Sequence, residues 1–312
     1  MNETGVIFPG QGAQAVGMGA DVAAAYPAAR AVFDEADEIL GFSLSETCFE
    51  GPAEELEKTN IQQPAIFVTS VALWAALHEG PKDLSGFGAT GGLSLGEYTA
   101  LHLAGAIDFP SALRLVRKRG ELMQAAAEAE PSGMVSLIGA DEASALRLCE
   151  AVAEGQVLAP ANYNCPGQIV ISGHKAACER AVESASAHEC RGVALPVAGA
   201  FHSPLMAPAA SELEKVLSQT EIRKPSIPVY SNVTAAVHGD ADEIRKSLAM
   251  QVTMPVRWEA SIRNMMSNGI SRFVEVGPGR VLAGLMRKIE RRTQISSINS
   301  ADSVASTAAS AS

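Results

Sequence analysis

The sequence predicts an α/β fold whose parallel-sheet core is interrupted by a small inserted unit. Three observations predict it. Short apolar stretches at residues 5–8, 87–90, 227–231 and 270–276 read as strands and alternate with long helical patterns. Between residues 130 and 198 the pattern becomes β-α-β-β-α-β, the split ferredoxin-like order. At Gly92-Leu93-Ser94-Leu95-Gly96 a G-x-S-x-G pattern stands between a strand signal and a helix signal, the setting of a nucleophile elbow.

The elements follow in order. Residues 5–8 (Gly-Val-Ile-Phe) are a strand signal, and Pro9-Gly10-Gln11-Gly12-Ala13-Gln14 is a glycine turn straight after it. Gly10 to Ala15 fits the dinucleotide fingerprint G-x-G-x-x-A, but Pro9 and the continuing glycine loop argue against that use. A loop that presents a backbone N–H near Gln11 is the alternative. Residues 21–40 are Ala-rich and helical up to Gly41, residues 54–58 form a short acidic helix, and 64–77 form a long apolar helix after cap candidates at 59–63. After the elbow helix at 95–104, Asp108 caps a helix through residue 127 that carries Arg114, Arg117, Lys118 and Arg119. Those four cannot all share one helix face, so at least one points away from the others. The inserted unit reads as strands at 133–139, 157–162, 168–172 and 192–197, with helices at 141–154 and 175–187. Asn164-Cys165-Pro166-Gly167 is its hairpin turn. His202 then stands at a strand-to-helix junction, with Ser203 as cap and Pro204 in the first turn. Helices at 242–250, 255–268 and 281–292 surround the last strand, and the Ser/Ala-rich residues 300–312 read as a disordered tail.

Composition narrows the function classes. A chain of 312 residues has ample core for one large or two ordinary domains. It is 47% apolar, yet the longest apolar run, residues 68–77, contains Thr69 and Ser70 and is too short to span a membrane. The first residues show no charged leader with an apolar core, so the expectation is a cytoplasmic protein. The five cysteines are odd in number and lack a C-x-x-C pair, which argues against a disulfide framework or a zinc knuckle. A net charge of −11 disfavours nucleic acid as the main partner. No metal or redox-cofactor motif is present, so no cofactor is expected.

Several separated motifs share one order. They are Phe8-Pro9-Gly10-Gln11-Gly12, Gly92-Leu93-Ser94-Leu95-Gly96-Glu97-Tyr98, Arg119-Gly120-Glu121-Leu122-Met123-Gln124, Asn164-Cys165-Pro166-Gly167-Gln168, Phe201-His202-Ser203-Pro204-Leu205-Met206 and Val274-Glu275-Val276-Gly277-Pro278-Gly279. Together they resemble the malonyl-CoA:acyl carrier protein transacylase family over residues 5 to about 295. The resemblance implies an α/β-hydrolase-like catalytic domain (1–129 and 199–299) with an inserted ferredoxin-like subdomain (130–198). It implies Ser94 as the nucleophile that takes a malonyl group from malonyl-CoA, and His202, one of six histidines, as general base and then acid. No acid is named as a third member, since backbone carbonyls commonly orient this imidazole in the family. Arg119 would hold the free malonyl carboxylate with two parallel hydrogen bonds. The backbone N–H groups of Gln11 and Leu95 would form the oxyanion hole. Gln251 matches a glutamine near the acyl pocket. Phe201 matches the position where a large ring goes with malonyl over methylmalonyl.

One position departs from the family. Most members have histidine where this chain has Leu93, which leaves open how the acyl group is held and how water is kept out. The implied function is malonyl transfer to the phosphopantetheine thiol of acyl carrier protein in ping-pong order, in fatty acid or polyketide synthesis, by a discrete monomeric enzyme. The alternatives are a hydrolase that clears misacylated carrier proteins with the same Ser94 and His202, an acyltransferase of different acyl specificity, and a non-catalytic carrier-binding module. A basic surface for the carrier has candidates in Arg114, Arg117, Lys118 and the Arg287-Lys288 and Arg291-Arg292 pairs.

Overall fold

The computed structural model describes residues 2–80 and 82–311. The first residue of the expected catalytic domain and the last of the expected tail lie outside the described residues. Strands β1 (Thr4–Phe8), β2 (Ala89–Gly92), β3 (Ser132–Ile138), β4 (Leu158–Cys165), β5 (Gln168–His174), β6 (Arg191–Ala194), β7 (Val229–Tyr230), β8 (Arg272–Val276) and β9 (Gln294–Ile298) make two sheets. The larger has the order β7-β2-β1-β8-β9 and every pairing in it is parallel. The smaller, β4-β5-β3-β6, is antiparallel throughout. It has its own apolar core, from Val135 to Cys190.

Register positions the site. Phe8 pairs with Gly92, Gly91 with Tyr230 and Ile7 with Glu275. Four parallel strands therefore end level, and the turns that leave them share one edge. In open parallel sheets, reacting groups collect beyond the carboxyl ends of the strands. The helix Thr59–Leu77, buried over almost its whole length, and the helix Phe109–Ala129 pack beside this edge. The small sheet is tied to the large core through β4: Tyr163 N–H donates to Val256 (2.9 Å), and Val256 N–H donates to Ala161 (2.8 Å). That pairing also holds the 251–256 segment, which meets His202.

Local structure departs from the sequence reading in a few places. The helix read over 21–40 is two helices, Ala20–Ala25 and Pro27–Leu40. Tyr26 is extended between them, because the ring of Pro27 disfavours a helical residue before it. A helix at Leu44–Glu50, capped by Ser43, has no strong periodic signal. Strand β9 was not foreseen, being a short Ser-containing edge strand. The expected disorder of residues 300–312 is corrected. Ala301–Ala311 is a helix, with Val304 only 1% exposed. Its first N–H donates to Asp21 Oδ2 (2.7 Å), and Ser303 Oγ accepts from the N–H groups of Asn299 and Ser300 (2.9 Å each). Composition alone misled here because one buried valine and a distant acceptor decide the segment. No helix among the described residues is long and apolar enough to cross a membrane.

Val304→Ala tests the tail correction. The loss of two buried methyls is expected to cost about 1–2 kcal/mol, read as a lower urea midpoint. A midpoint equal to that of the parent chain would mean the helix is undocked in solution.

Candidate active site

Ser94 sits between β2 and the helix Leu95–Leu103 at φ 51° and ψ −103°. This is a strained conformation for a residue with a side chain, worth ~1–3 kcal/mol. It persists because its surroundings hold it. Leu93 N–H donates to Phe8 (3.0 Å), Ser94 N–H to Asn232 Oδ1 (2.6 Å), and Gln251 Nε2 to the Ser94 carbonyl (3.0 Å). The two flanking motifs need glycine for space. A Cβ on Gly96 would lie 2.2 Å from the Phe8 carbonyl oxygen, and one on Gly10 the same 2.2 Å from that of Leu93. The loop after β1 thus lies directly against the elbow.

His202 also has a positive φ, 58°. Its Nε2 lies 2.8 Å from Ser94 Oγ, and its Nδ1 lies 2.7 Å from the Gln251 carbonyl oxygen. A carbonyl only accepts, so Nδ1 carries the hydrogen and Nε2 presents its lone pair to the serine hydroxyl. The orienting partner is main-chain, with no carboxylate in the position. Burial, reinforced by the Arg119 charge and opposed by the Gln251 and Met254 carbonyls, pulls His202 down to about 4. The ring is therefore neutral at pH 7 and able to take a proton.

Helix geometry requires at least one of the four basic residues to point away from the rest, and Arg119 is that residue. Arg117 pairs with Glu121 (2.7 Å) and Arg114 is exposed, while Arg119 is 1% exposed. Its Nη1 donates to Gln63 Oε1 (2.6 Å); its Nη2 donates to Gln251 Oε1 and to Ser94 Oγ (2.9 Å each). The guanidinium carbon lies 5.2 Å from the Tyr98 ring centroid, a cation–π contact. Burial lowers the arginine from its usual range, opposed by Tyr98 and Glu97. Ser94 Oγ thus donates toward a neutral imidazole and accepts from a buried cation.

The other expected residues fall as follows. Gln251, at the end of the helix Ala241–Gln251, is fully buried and touches Ser94, Arg119 and His202 at once. Leu95 is the first residue of its helix, where an N–H has no intrahelical acceptor. Gln11 is half-buried in the loop packed on the elbow, and Phe201 is buried beside His202. Leu93 is partly buried against the cluster that contains Trp258 and Phe273. Sequence reasoning missed four residues. Gln63 holds Arg119; Asn232 holds the Ser94 N–H and the Gly92 carbonyl (2.7 Å). Glu97, wholly buried, accepts from Asn232 N–H (3.1 Å), Gln251 Nε2 (2.6 Å) and His238 Nε2 (2.7 Å). The one available signal was Glu97 itself, the single carboxylate of a largely apolar elbow helix.

The family profile described as acyl transferase domain matches residues 6–307. The malonyl CoA-acyl carrier protein transacylase of Escherichia coli (strain K12) is 42% identical over 306 residues, 98% of each chain. The chain belongs to the malonyl CoA-acyl carrier protein transacylase family. The Bacillus subtilis (strain 168) member is likewise 42% identical, over 97% of this chain and 96% of that one. Among solved structures, a malonyl-transacylase in complex with its type II polyketide-synthase acyl carrier protein aligns at TM-score 0.94. It shows 40% identity over 99% of this chain and 100% of that one. That solved structure shares the mixed α/β architecture described above.

The His202 environment predicts a pH profile. A base must be neutral to accept a proton, and this one is neutral above about pH 4. Acylation of Ser94 is expected to stay level from pH 8 down to about 5 and to be half lost near the depressed value, instead of near 6.5. Stopped-flow acylation with buffers of constant ionic strength checks this, and a midpoint near 6.5 would contradict it.

Proposed function

We propose that this chain transfers a malonyl group from malonyl-CoA to the phosphopantetheine thiol of holo acyl carrier protein through a malonyl-Ser94 ester. The observation that carries the reading is the Arg119 guanidinium, buried and 2.9 Å from the nucleophile oxygen. A buried cation whose direct hydrogen bonds all go to neutral groups is expensive, and a substrate with a free carboxylate supplies a counter-charge in direct contact. The names of the relatives agree with this chemistry.

His202 Nε2 takes the Ser94 proton as Oγ attacks the thioester carbon. The carbonyl becomes an oxyanion that accepts from the N–H groups of Gln11 and Leu95, and one such donor contributes ~10²–10³ in rate. Collapse expels the CoA thiolate, which His202 protonates. Arg119 meanwhile releases Oγ, now an ester oxygen, and turns Nη2 to the malonyl carboxylate. In the second half the carrier thiol gives its proton to His202 and attacks the ester, and Ser94 leaves with that proton restored. Gln251 keeps Arg119 and His202 in place through both halves. Phe201 fills space that an α-methyl branch would need. The division into a catalytic domain at 1–129 and 199–299 and a subdomain at 130–198 suits this scheme, with His202 just after the inserted unit. The work is cytoplasmic in this reading, uses no cofactor beyond the carrier's own arm, and takes place in a monomer.

The test uses labelled malonyl-CoA and acetyl-CoA, each with and without holo carrier protein, with acyl-enzyme, acyl-carrier and free acid followed together. Malonyl is expected on the enzyme, then on the carrier, with little free malonate; rapid release of free acid would overturn the transferase reading. Arg119→Ala is expected to lower malonyl transfer about ten- to a hundred-fold, the equivalent of a charged hydrogen bond worth ~1.5–3 kcal/mol, and to spare or raise acetyl transfer. Equal loss of both acyl groups would remove Arg119 from carboxylate recognition.

A further inference from the structure

We propose that Glu97, working with His238, is the positioning residue of this site, and that it acts on Arg119 and Ser94 by fixing which way the Gln251 amide points. The inference rests on the malonyl-transfer reading above.

Gln251 has one orientation that satisfies its neighbours. Arg119 can only donate, so the amide oxygen must face it, and Oε1 does so at 2.9 Å. The Ser94 carbonyl can only accept, so the amide nitrogen must face it, and Nε2 does so at 3.0 Å. Glu97 Oε2, 2.6 Å from the same nitrogen, is the second acceptor that makes this orientation the stable one. Turned over, the amide would set its oxygen against a carboxylate and its NH2 against a guanidinium.

Glu97 is itself fixed by donors that cannot be exchanged for acceptors. The Asn232 main-chain N–H meets Oε2 at 3.1 Å, and this same residue holds the Ser94 N–H through its side chain. His238 Nε2 meets Oε1 at 2.7 Å, with both side chains nearly inaccessible (2% and 0%). Three donors thus converge on two oxygens of one buried side chain. A carboxylate has acceptor sites for all of them, and a carboxamide has one oxygen to offer. Glu97 touches neither substrate nor reacting atoms; its influence travels through Gln251 and Asn232. A carboxylate two contacts away also sits opposite the Arg119 charge, which keeps the buried cation compensated while no malonyl group is present.

The experiment compares parent, Glu97→Gln, Gln251→Leu and the double variant in transfer of malonyl and acetyl, with thermal unfolding to verify folding. In Glu97→Gln, a misdirected Gln251 is expected to lower kcat for malonyl transfer by about 10²-fold, the order that a 1 Å misplacement brings. The malonyl-to-acetyl ratio is expected to fall about tenfold, because Arg119 serves only the acyl group with a carboxylate. In the Gln251→Leu background the same substitution is expected to leave that ratio nearly unmoved. A simple loss of folded enzyme would lower both acyl groups alike. An unchanged ratio in Glu97→Gln, or effects on the ratio that multiply in the double variant, would overturn the proposal. Should Glu97→Gln fail to fold, His238→Leu removes the outer donor alone, and an unchanged ratio there is equally fatal. Failure of the parent chain to malonylate the carrier would instead overturn the transferase reading itself.

Discussion

The turn at Ser94 holds a side-chain-bearing residue at φ 51°, and contacts from several elements keep it there. Phe8 accepts from the residue before it, Asn232 accepts from its own N–H, and Gln251 donates to its carbonyl. Each contact comes from the end of a different strand or helix. The strained turn is therefore a product of the whole sheet edge, and the sheet register that levels those ends is its precondition. Because the turn projects Oγ away from the backbone, one oxygen can meet His202 and Arg119 together.

Burial governs the electrostatics. His202 and Arg119 lie almost out of reach of water, so the arginine charge acts on the imidazole with little screening. The cation helps to keep the imidazole neutral, which is the protonation state a base requires. The imidazole needs no carboxylate behind it, since the Gln251 carbonyl fixes its tautomer. The negative charge in the neighbourhood, Glu97, stands on the far side of Gln251, where it balances Arg119 without contacting His202. Placing the acid there leaves His202 depressed and the arginine charged, an arrangement suited to a substrate that brings its own carboxylate.

The basic helix shows how one element serves separate ends. Arg117 and Lys118 pair with Glu121 at the surface, and such pairs contribute little. Arg119, the next residue, turns inward and is held by Gln63 from the neighbouring long helix. Leu93, the departure from the family pattern, packs its side chain on the apolar cluster around Trp258. The elbow keeps its geometry with leucine there because the turn is held through its own main-chain groups, by Phe8, Asn232 and Gln251, and by the space at Gly96.

Much was legible in the sequence because it is encoded locally. The strand–turn–helix around Ser94, the β-α-β-β-α-β order of the inserted unit, the Asp108 cap and the splitting of the basic helix's four cations between faces each follow from spacing or residue type within a few positions. Ser94 stood out by its local pattern, while His202 and Arg119 were singled out by the ordered motifs, and the three side chains meet in one buried cluster. The tertiary structure alone decided the rest. Glu97 meets His238 across 141 positions and Gln251 across 154, and no local pattern encodes such a pairing. Gln251 could equally have been an exposed helix end; it is buried because the 251–256 segment is clamped by β4. The tail shows the same division: its composition permits disorder, and a distant aspartate with one buried valine makes it a helix. Local chemistry sets which groups can react, while donor–acceptor matching between distant segments sets where they stand.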